Sequence, residues 1–155
     1  MTDPQVVDRP AFWVLGIVRH FGSPASADFE GTWHALAPQQ GLIAPLSTDG
    51  AFYGVGFVAE GATGFDYLAG MAVAPDAQVP PGLFLREVPA ATEAVFTCTM
   101  ATIGATYQFA YGEWMARAGY QCAEPLPWFE RYPPEGISGP DSPLEIHIAI
   151  KPVEA

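Results

Sequence analysis

Short blocks of hydrophobic residues, many of them β-branched or aromatic, recur along the chain and predict β-strands. The first block, residues 6–21, predicts one long strand. A glycine-containing segment at residues 60–64 predicts a turn between two later strands. The strands predicted after the first cover residues 52–58, 65–73, 83–88, 92–100, 128–132 and 144–150.

Helical periodicity interrupts this strand pattern for the first time after residue 22. Ser23 is a suitable N-cap, and Pro38 is expected to end the helix. Between them Phe29, Trp33 and Leu36 recur at positions i, i+4 and i+7, which places them on one apolar face.

A second helix is predicted over residues 103–118. Its apolar face contains four residues at helical spacing: Tyr107, Tyr111, Trp114 and Ala118. Gly119 follows directly and suits the left-handed position that ends many helices.

The predicted elements repeat as strand–helix–strand–strand, first over residues 6–74 and again over residues 83–151. This order predicts an α+β fold of duplicated β-α-β-β units, with pseudo-two-fold symmetry and an antiparallel sheet. The two helices would flank a central cleft between the halves, a natural small-molecule site. Because the chain has 155 residues, we expect residues 1–155 to form a single domain.

The charge balance limits the possible partners. Six Lys and Arg residues face 17 Asp and Glu residues, for a formal net charge of −11. Proteins that bind nucleic acid or anionic membranes need clustered basic residues, so neither partner is expected. An acidic surface favours cationic ligands or basic protein partners, although solubility alone would also account for it.

The cellular compartment that we expect for the protein follows from its apolar stretches and its cysteines. The longest uninterrupted apolar stretch, residues 11–18, is too short to span a membrane. Asp3 and Asp8 precede it where a signal peptide requires basic residues. The chain has only two cysteines, Cys98 and Cys122, which predicts free thiols and a cytoplasmic location.

One strand carries a carboxylate between two aromatic residues. Because side chains alternate along a strand, Trp128, Glu130 and Tyr132 share one face. Glu130 then lies either in a cleft or at a solvated edge. In an apolar cleft the pKa of this carboxyl would rise, and the surrounding rings would favour lipophilic cations through cation–π contact.

The glycines and the remaining candidate motifs give less information about function. Gly54, Gly56 and Gly70 lie inside predicted strands, where glycine marks a bulge or a close approach of another group. The histidines have no spacing typical of metal ligands, so no metal site is expected. No phosphate-binding loop or G-x-S-x-G motif occurs in the sequence, and no cofactor is expected.

Several segments, in order along the chain, resemble the GyrI-like small-molecule-binding domain, which is also the effector-binding domain of bacterial multidrug-responsive regulators. The segments that carry this resemblance are residues 53–56, 65–70, 111–120, 128–133 and 146–152. The resemblance implies an aromatic cleft whose acidic residue, here Glu130, faces lipophilic and often cationic ligands. Residues 98–102 depart from the family pattern, because they replace a His-Gly pair often found before the second helix.

From the strand pattern and the resemblance we expect nine residues to contact the ligand: Trp33, Tyr53, Tyr67, Tyr107, Tyr111, Trp114, Trp128, Glu130 and Tyr132. Tyr67 is expected to donate a hydrogen bond to a ligand carbonyl.

The resemblance leaves three functions open. The first is binding of lipophilic xenobiotic or antibiotic molecules. The second is hydrolysis, because some stand-alone members open cyclopropane rings of DNA-alkylating natural products with a tyrosine and the glutamate, here Tyr67 and Glu130. The third is inhibition of gyrase or another protein partner. No helix-turn-helix segment is present, so direct transcriptional control is not expected.

Overall fold

The computed structural model describes residues 2–58 and 63–154, so the predicted turn at residues 60–64 lies largely outside the described residues. Within these ranges the chain forms nine strands: β1 (Gln5–Arg9), β2 (Phe12–Phe21), β3 (Ser47–Phe57), β4 (Phe65–Val73), β5 (Phe84–Val88), β6 (Ala91–Thr99), β7 (Tyr120–Cys122), β8 (Trp128–Tyr132) and β9 (Pro143–Pro152). The α-helical segments are α1 (Phe29–Leu36), α2 (Gln40–Ile43), α3 (Ile103–Phe109) and α4 (Met115–Ala118).

The sheet is antiparallel, with strand order β1-β6-β9-β8-β3-β4-β2-β5, and β7 pairs with the end of β9. The pseudo-two-fold axis passes between β3 and β8. On one side the order is β3-β4-β2, and on the other it is β8-β9-β6, so each half contributes the same three-strand unit. The predicted α+β fold of duplicated β-α-β-β units is confirmed.

The stretch predicted as one long strand is in fact two strands, β1 and β2, and that prediction was wrong. Pro10 lies between them and has no N–H to donate to a sheet ladder. β1 pairs with β6 of the second half, whereas β2 pairs with β4 and β5 of its own side. Only two residues separate Arg9 from Phe12, so the sheet must curl until its two ends lie close together.

The first helix begins later than the sequence predicted. Ser23 caps a short 3-10 turn at Pro24–Ser26. The N-cap of α1 is Asp28, whose Oδ1 accepts a hydrogen bond of 2.9 Å from the backbone N–H of Gly31. Pro38 does not end the helical path, because a proline is tolerated in the first turn of the 3-10 segment that leads into α2.

The second helix covers the predicted residues but contains an unexpected segment. Between α3 and α4 the chain adopts π-helical geometry at Ala110–Trp114. Gly119 ends the helix in the left-handed conformation, with φ of 80°, and its N–H donates to the carbonyl of Met115 at 3.0 Å. Such π-helical segments change which residues face a given side of the helix, and this affects the site described below.

Apolar side chains are buried on both faces of the sheet. The face that carries the helices, called here the helix-side face, has one cluster in each half, and Trp33 and Phe52 pack against both. The opposite face lies inside the curl of the sheet. Its core contains the buried residues Val14, Ala51, Tyr53, Val55, Leu68, Ala72, Val88 and Phe129.

Candidate functional site

A cavity of about 1210 Å³ lies on the helix-side face between the two helices. Phe29 and Trp33 of α1 form one wall, and Tyr107 of α3 forms the opposite wall. Strands β3, β4 and β8 form the floor, while the loop after β8 contributes Gly136 and Ile137. The cavity therefore lies across the pseudo-two-fold axis and is lined by both halves.

Glu130 is the carboxylate on the floor of this cavity. Its Oε2 accepts a hydrogen bond from the hydroxyl of Tyr107 at 2.6 Å, and its Oε1 accepts one from the hydroxyl of Tyr132 at 2.5 Å. Burial raises the pKa of Glu130, and the two tyrosine hydrogen bonds oppose that rise without cancelling it. A carboxylate is thus held at a defined place in largely aromatic surroundings.

Tyr67 is buried on the same floor, beside Glu130. Its phenolic oxygen accepts a hydrogen bond from Nε1 of Trp33 at 3.1 Å. Burial, and then the negative charge of Glu130, raise the pKa of Tyr67 far above its usual range, so the phenol stays protonated. Within the described part of the chain no acceptor is recorded for the Tyr67 O–H, which leaves a hydrogen-bond donor at the cavity floor.

Two glycines of β3 allow the aromatic floor to form. A Cβ on Gly54 would lie 2.0 Å from the Tyr67 hydroxyl, and a Cβ on Gly56 would lie 2.3 Å from the Trp128 indole. Both rings therefore rest against the strand backbone where other residues would carry side chains. The expected close approach at these glycines is confirmed, and the approaching groups are the protein's own aromatic rings.

Aromatic rings also cover the α3 side of the cavity. The rings of Tyr107 and Tyr111 are stacked, with centroids 6.0 Å apart and an interplanar angle of 6°. Tyr107 and Trp128 pack edge to face, with an interplanar angle of 81°. Electron-rich ring faces of this kind attract flat apolar groups and delocalised cations.

The structure brings together most of the residues predicted for the site. Those that line the cavity are Trp33, Tyr67, Tyr107, Tyr111, Trp128, Glu130 and Tyr132.

Tyr53 does not join them, and its predicted place in the cleft is corrected. It alternates with Gly54 along β3 and therefore points to the opposite face of the sheet. There its hydroxyl donates to Asp49 Oδ2 at 2.7 Å and accepts a hydrogen bond from Arg131 Nε at 3.2 Å.

Trp114 also lies outside the cavity lining, which corrects the expectation that it flanks the cleft. It packs edge-to-face on Phe96 at 5.7 Å and stacks on Tyr120 at 5.5 Å. The π-helical segment has wider turns than an α-helix, so the three-residue step from Tyr111 turns Trp114 towards the core of the second half.

Other lining residues were not singled out from the sequence. Phe65 precedes Tyr67 by two residues and Phe52 precedes Gly54 by two, so strand alternation already placed both on the same face. Ile137 comes from a proline-rich loop, where no periodicity indicates which side chain turns inward.

In residues 2–58 and 63–154, no group of three His, Cys, Asp or Glu side chains is placed to hold a metal ion. Over the same residues, no helix has the length and apolar character needed to cross a membrane.

Fold and cavity together define a small-molecule effector-binding domain of the GyrI-like class, as the sequence resemblance implied. Residues 5–150 match the Cass2 family, described as integron-associated effector binding protein, and the chain belongs to this family.

A transcriptional regulator is among the proteins that are similar to this chain in sequence. The chain is 31% identical over 151 residues to the transcriptional regulator BrlR of Pseudomonas aeruginosa. The match covers 94% of this chain and 54% of BrlR, so the chain spans about half the length of that relative.

Solved structures share the fold at low sequence identity. SAV2435 bound to tetraphenylphosphonium superposes with a TM-score of 0.75 and 16% identity, covering 97% of this chain and 94% of that one. The integron cassette protein VCH_CASS2, from the mobile metagenome of Vibrio cholerae, has a TM-score of 0.62 and 21% identity, covering 96% of both chains. The C-terminal domain of EcmrR has a TM-score of 0.62 and 14% identity, covering 96% of this chain and 97% of that domain.

Proposed function

We propose that this protein binds lipophilic, positively charged small molecules in the cavity between α1 and α3. The observation that carries the proposal is the Glu130 carboxylate, held on an aromatic floor by Tyr107 and Tyr132. A charge in such surroundings is unfavourable unless an opposite charge or hydrogen bonds compensate it.

In the described part of the chain, no basic side chain supplies that opposite charge. Among the ion pairs of the described residues, none involves Glu130. Its two hydrogen-bond partners are neutral phenols. A bound cation would complete the pair and would also contact the electron-rich faces of Tyr107 and Trp128.

The O–H of Tyr67 indicates a second feature of the proposed ligand. Its O–H points to no acceptor among the described residues, while the hydroxyls of Tyr107 and Tyr132 are committed to Glu130. A ligand that carries a carbonyl or ether oxygen near its positive centre would satisfy both groups at once.

Tetraphenylphosphonium is the probe of choice, because a protein of similar fold, SAV2435, is described bound to it.

The proposed compartment is the cytoplasm, where the free thiols of Cys98 and Cys122 would persist.

The experiment compares tetraphenylphosphonium binding in three proteins by calorimetry. The intact protein should bind one cation in a saturable manner. Ile103→Trp adds bulk to a residue that lines the cavity and should weaken binding by about tenfold or more. Gln108→Trp places the same side chain on the exposed side of the same helix and should leave binding unchanged. Equal affinity in all three proteins would show that the cation does not bind in this cavity.

Two further assays on the same protein test the other two functions, hydrolysis of the ligand and inhibition of a protein partner. Mass spectrometry after incubation with a cyclopropane-bearing alkylator should recover the ligand unchanged. A gain of one water molecule by the ligand would instead establish hydrolysis. Inhibition of gyrase that survives Ile103→Trp would establish a protein-binding role independent of the cavity.

A further inference from the structure

The ring of Tyr67 is enclosed by its neighbours at the cavity floor. Phe29 of α1 packs edge to face on it, with ring centroids 4.8 Å apart. The hydroxyl lies against the backbone of Gly54, and the Trp128 indole lies beside the phenol ring at 6.3 Å. Because Tyr67 is 1% exposed, its ring has little room to turn. Rotation of the O–H bond is the freedom that this side chain retains.

Trp33 of α1 limits that rotation. Its Nε1–H donates a hydrogen bond to the phenolic oxygen of Tyr67 at 3.1 Å. A hydroxyl that accepts from an N–H cannot turn its own proton towards the same N–H. The Tyr67 proton therefore points away from the indole, where the described residues offer it no acceptor.

The position of Trp33 follows from the periodicity of α1. Phe29 and Trp33 are four residues apart and share one face of the helix. Phe29 contacts the ring of Tyr67, and Trp33 contacts its hydroxyl. The Trp33 indole also packs edge to face on Tyr132, with centroids 5.5 Å apart, so both halves of the domain hold it in place.

The Tyr67 hydroxyl lies near the carboxylate of Glu130. Gly54, against which the hydroxyl rests, is the residue of β3 that pairs with Glu130 of β8. The negative charge of Glu130 contributes to the raised pKa of Tyr67, as expected for neighbouring groups. A cation bound at Glu130 would therefore hold an oxygen atom close to its positive centre beside the Tyr67 O–H.

We propose that Trp33 is a positioning residue that determines which cations the cavity prefers. Its N–H keeps the Tyr67 O–H available to the ligand, and this favours cations that carry an oxygen acceptor near the positive centre. Without that N–H the hydroxyl would be free to turn, and a lone pair would face the ligand oxygen in part of the molecules. This inference rests on the function proposed above.

The test compares two cations of the same size and charge. (2-Methoxyethyl)triphenylphosphonium carries an ether oxygen near phosphorus, and butyltriphenylphosphonium has a methylene group in its place. Calorimetry gives the ratio of their association constants, called here the ether preference. Tyr67→Phe removes the donor and should lower the ether preference by about three- to tenfold. Trp33→Phe leaves the donor but frees it to rotate, and should lower the ether preference by about threefold.

Trp128→Phe is the matched control. It removes an indole that lines the same cavity but has no recorded hydrogen bond to Tyr67. It should change both affinities by the same factor, so the ether preference stays that of the intact protein. The double variant of Trp33 and Tyr67 should have the ether preference of Tyr67→Phe alone, because Trp33 acts through the hydroxyl.

Proton NMR keeps the inference falsifiable if Trp33→Phe folds poorly. The indole N–H resonance of Trp33 should move upfield in Tyr67→Phe, because its acceptor is lost. It should not move in Tyr111→Phe, which removes a hydroxyl from the opposite side of the cavity.

Two results would overturn the positioning role of Trp33. One is an indole resonance that does not respond to Tyr67→Phe. The other is an ether preference in Trp33→Phe equal to that of the intact protein, even if both affinities fall, since this would make Trp33 only a contact surface. Binding of both cations with such an unchanged ratio would contradict this inference alone, whereas binding of neither cation to the intact protein would contradict the proposed function as well.

Discussion

The hydroxyl of Tyr107 lies 2.6 Å from Oε2 of Glu130 and joins α3 to the central strand β8 across the floor of the cavity. Tyr132 donates to the other oxygen of the same carboxylate at 2.5 Å. The position and protonation of Glu130 therefore depend on groups from the helix and from its own strand.

Tyr107→Phe removes one of the two hydrogen bonds that favour the charged form of Glu130. A hydrogen bond to a charged group contributes about 1.5–3 kcal/mol, so its loss should raise the pKa of Glu130 further. The rise is measurable by carbon NMR titration of the carboxyl. Tyr111→Phe removes a hydroxyl with no recorded bond to Glu130 and is the control. An equal shift in both variants would contradict this role of Tyr107.

Cation binding should depend on pH in the direction that the raised pKa of Glu130 dictates. Above that pKa the carboxylate is charged and attracts the ligand. As the pH falls through it, Glu130 takes up a proton and tetraphenylphosphonium affinity should decrease. A neutral ligand should show no such decrease. Calorimetry over a pH series distinguishes the two, and a flat profile for the cation would contradict the assignment of Glu130.

Ligand binding should quench the fluorescence of tryptophans at the cavity and leave Trp114 unaffected. Trp33 and Trp128 line the cavity, whereas Trp114 is packed in the core of the second half. Trp128→Phe should therefore remove about half of the quenching caused by tetraphenylphosphonium, while Trp114→Phe should remove little. The reverse result would place the ligand beside the core of the second half.

Gly56→Ala should disturb the cavity floor, because the new Cβ would lie 2.3 Å from the Trp128 indole. Overpacking of this kind costs about 1–3 kcal/mol of stability and should also weaken ligand binding. Gly104→Ala is the control, because a Cβ there meets nothing within 4 Å and alanine favours the helix by up to about 1 kcal/mol. Urea unfolding of both variants measures the difference. Equal stability would show that the indole can move aside.

The parts of the site that local periodicity determines could be predicted from the sequence. Strand alternation places Trp128, Glu130 and Tyr132 on one face, and the four-residue spacing of Tyr107 and Tyr111 places them together on the helix. These relationships depend only on the repeat of one element, so neighbouring elements do not alter them.

Other features depend on distant parts of the chain. The π-helical segment turns Trp114 away from Tyr111, and nothing in the residues at 110–114 indicates it. The break at Pro10 separates β1 from β2, but the pairing of β1 with β6 of the other half reflects the curl of the whole sheet. The hydrogen bond between Tyr107 and Glu130 likewise joins a helix and a strand through residues that are 23 positions apart.

The most direct test of the central claim compares two ligands in one variant. Glu130→Gln keeps the shape of the side chain and removes its charge. Its affinity for tetraphenylphosphonium should fall by at least about tenfold, which corresponds to about 1.4 kcal/mol. Its affinity for triphenylphosphine oxide, a neutral ligand of similar bulk, should change by less than about threefold. Glu113→Gln, on the exposed side of the same helical region as Tyr111, should leave both affinities unchanged. Equal losses for the two ligands in Glu130→Gln, or no loss for the cation, would contradict the proposal that Glu130 recognises a positive charge.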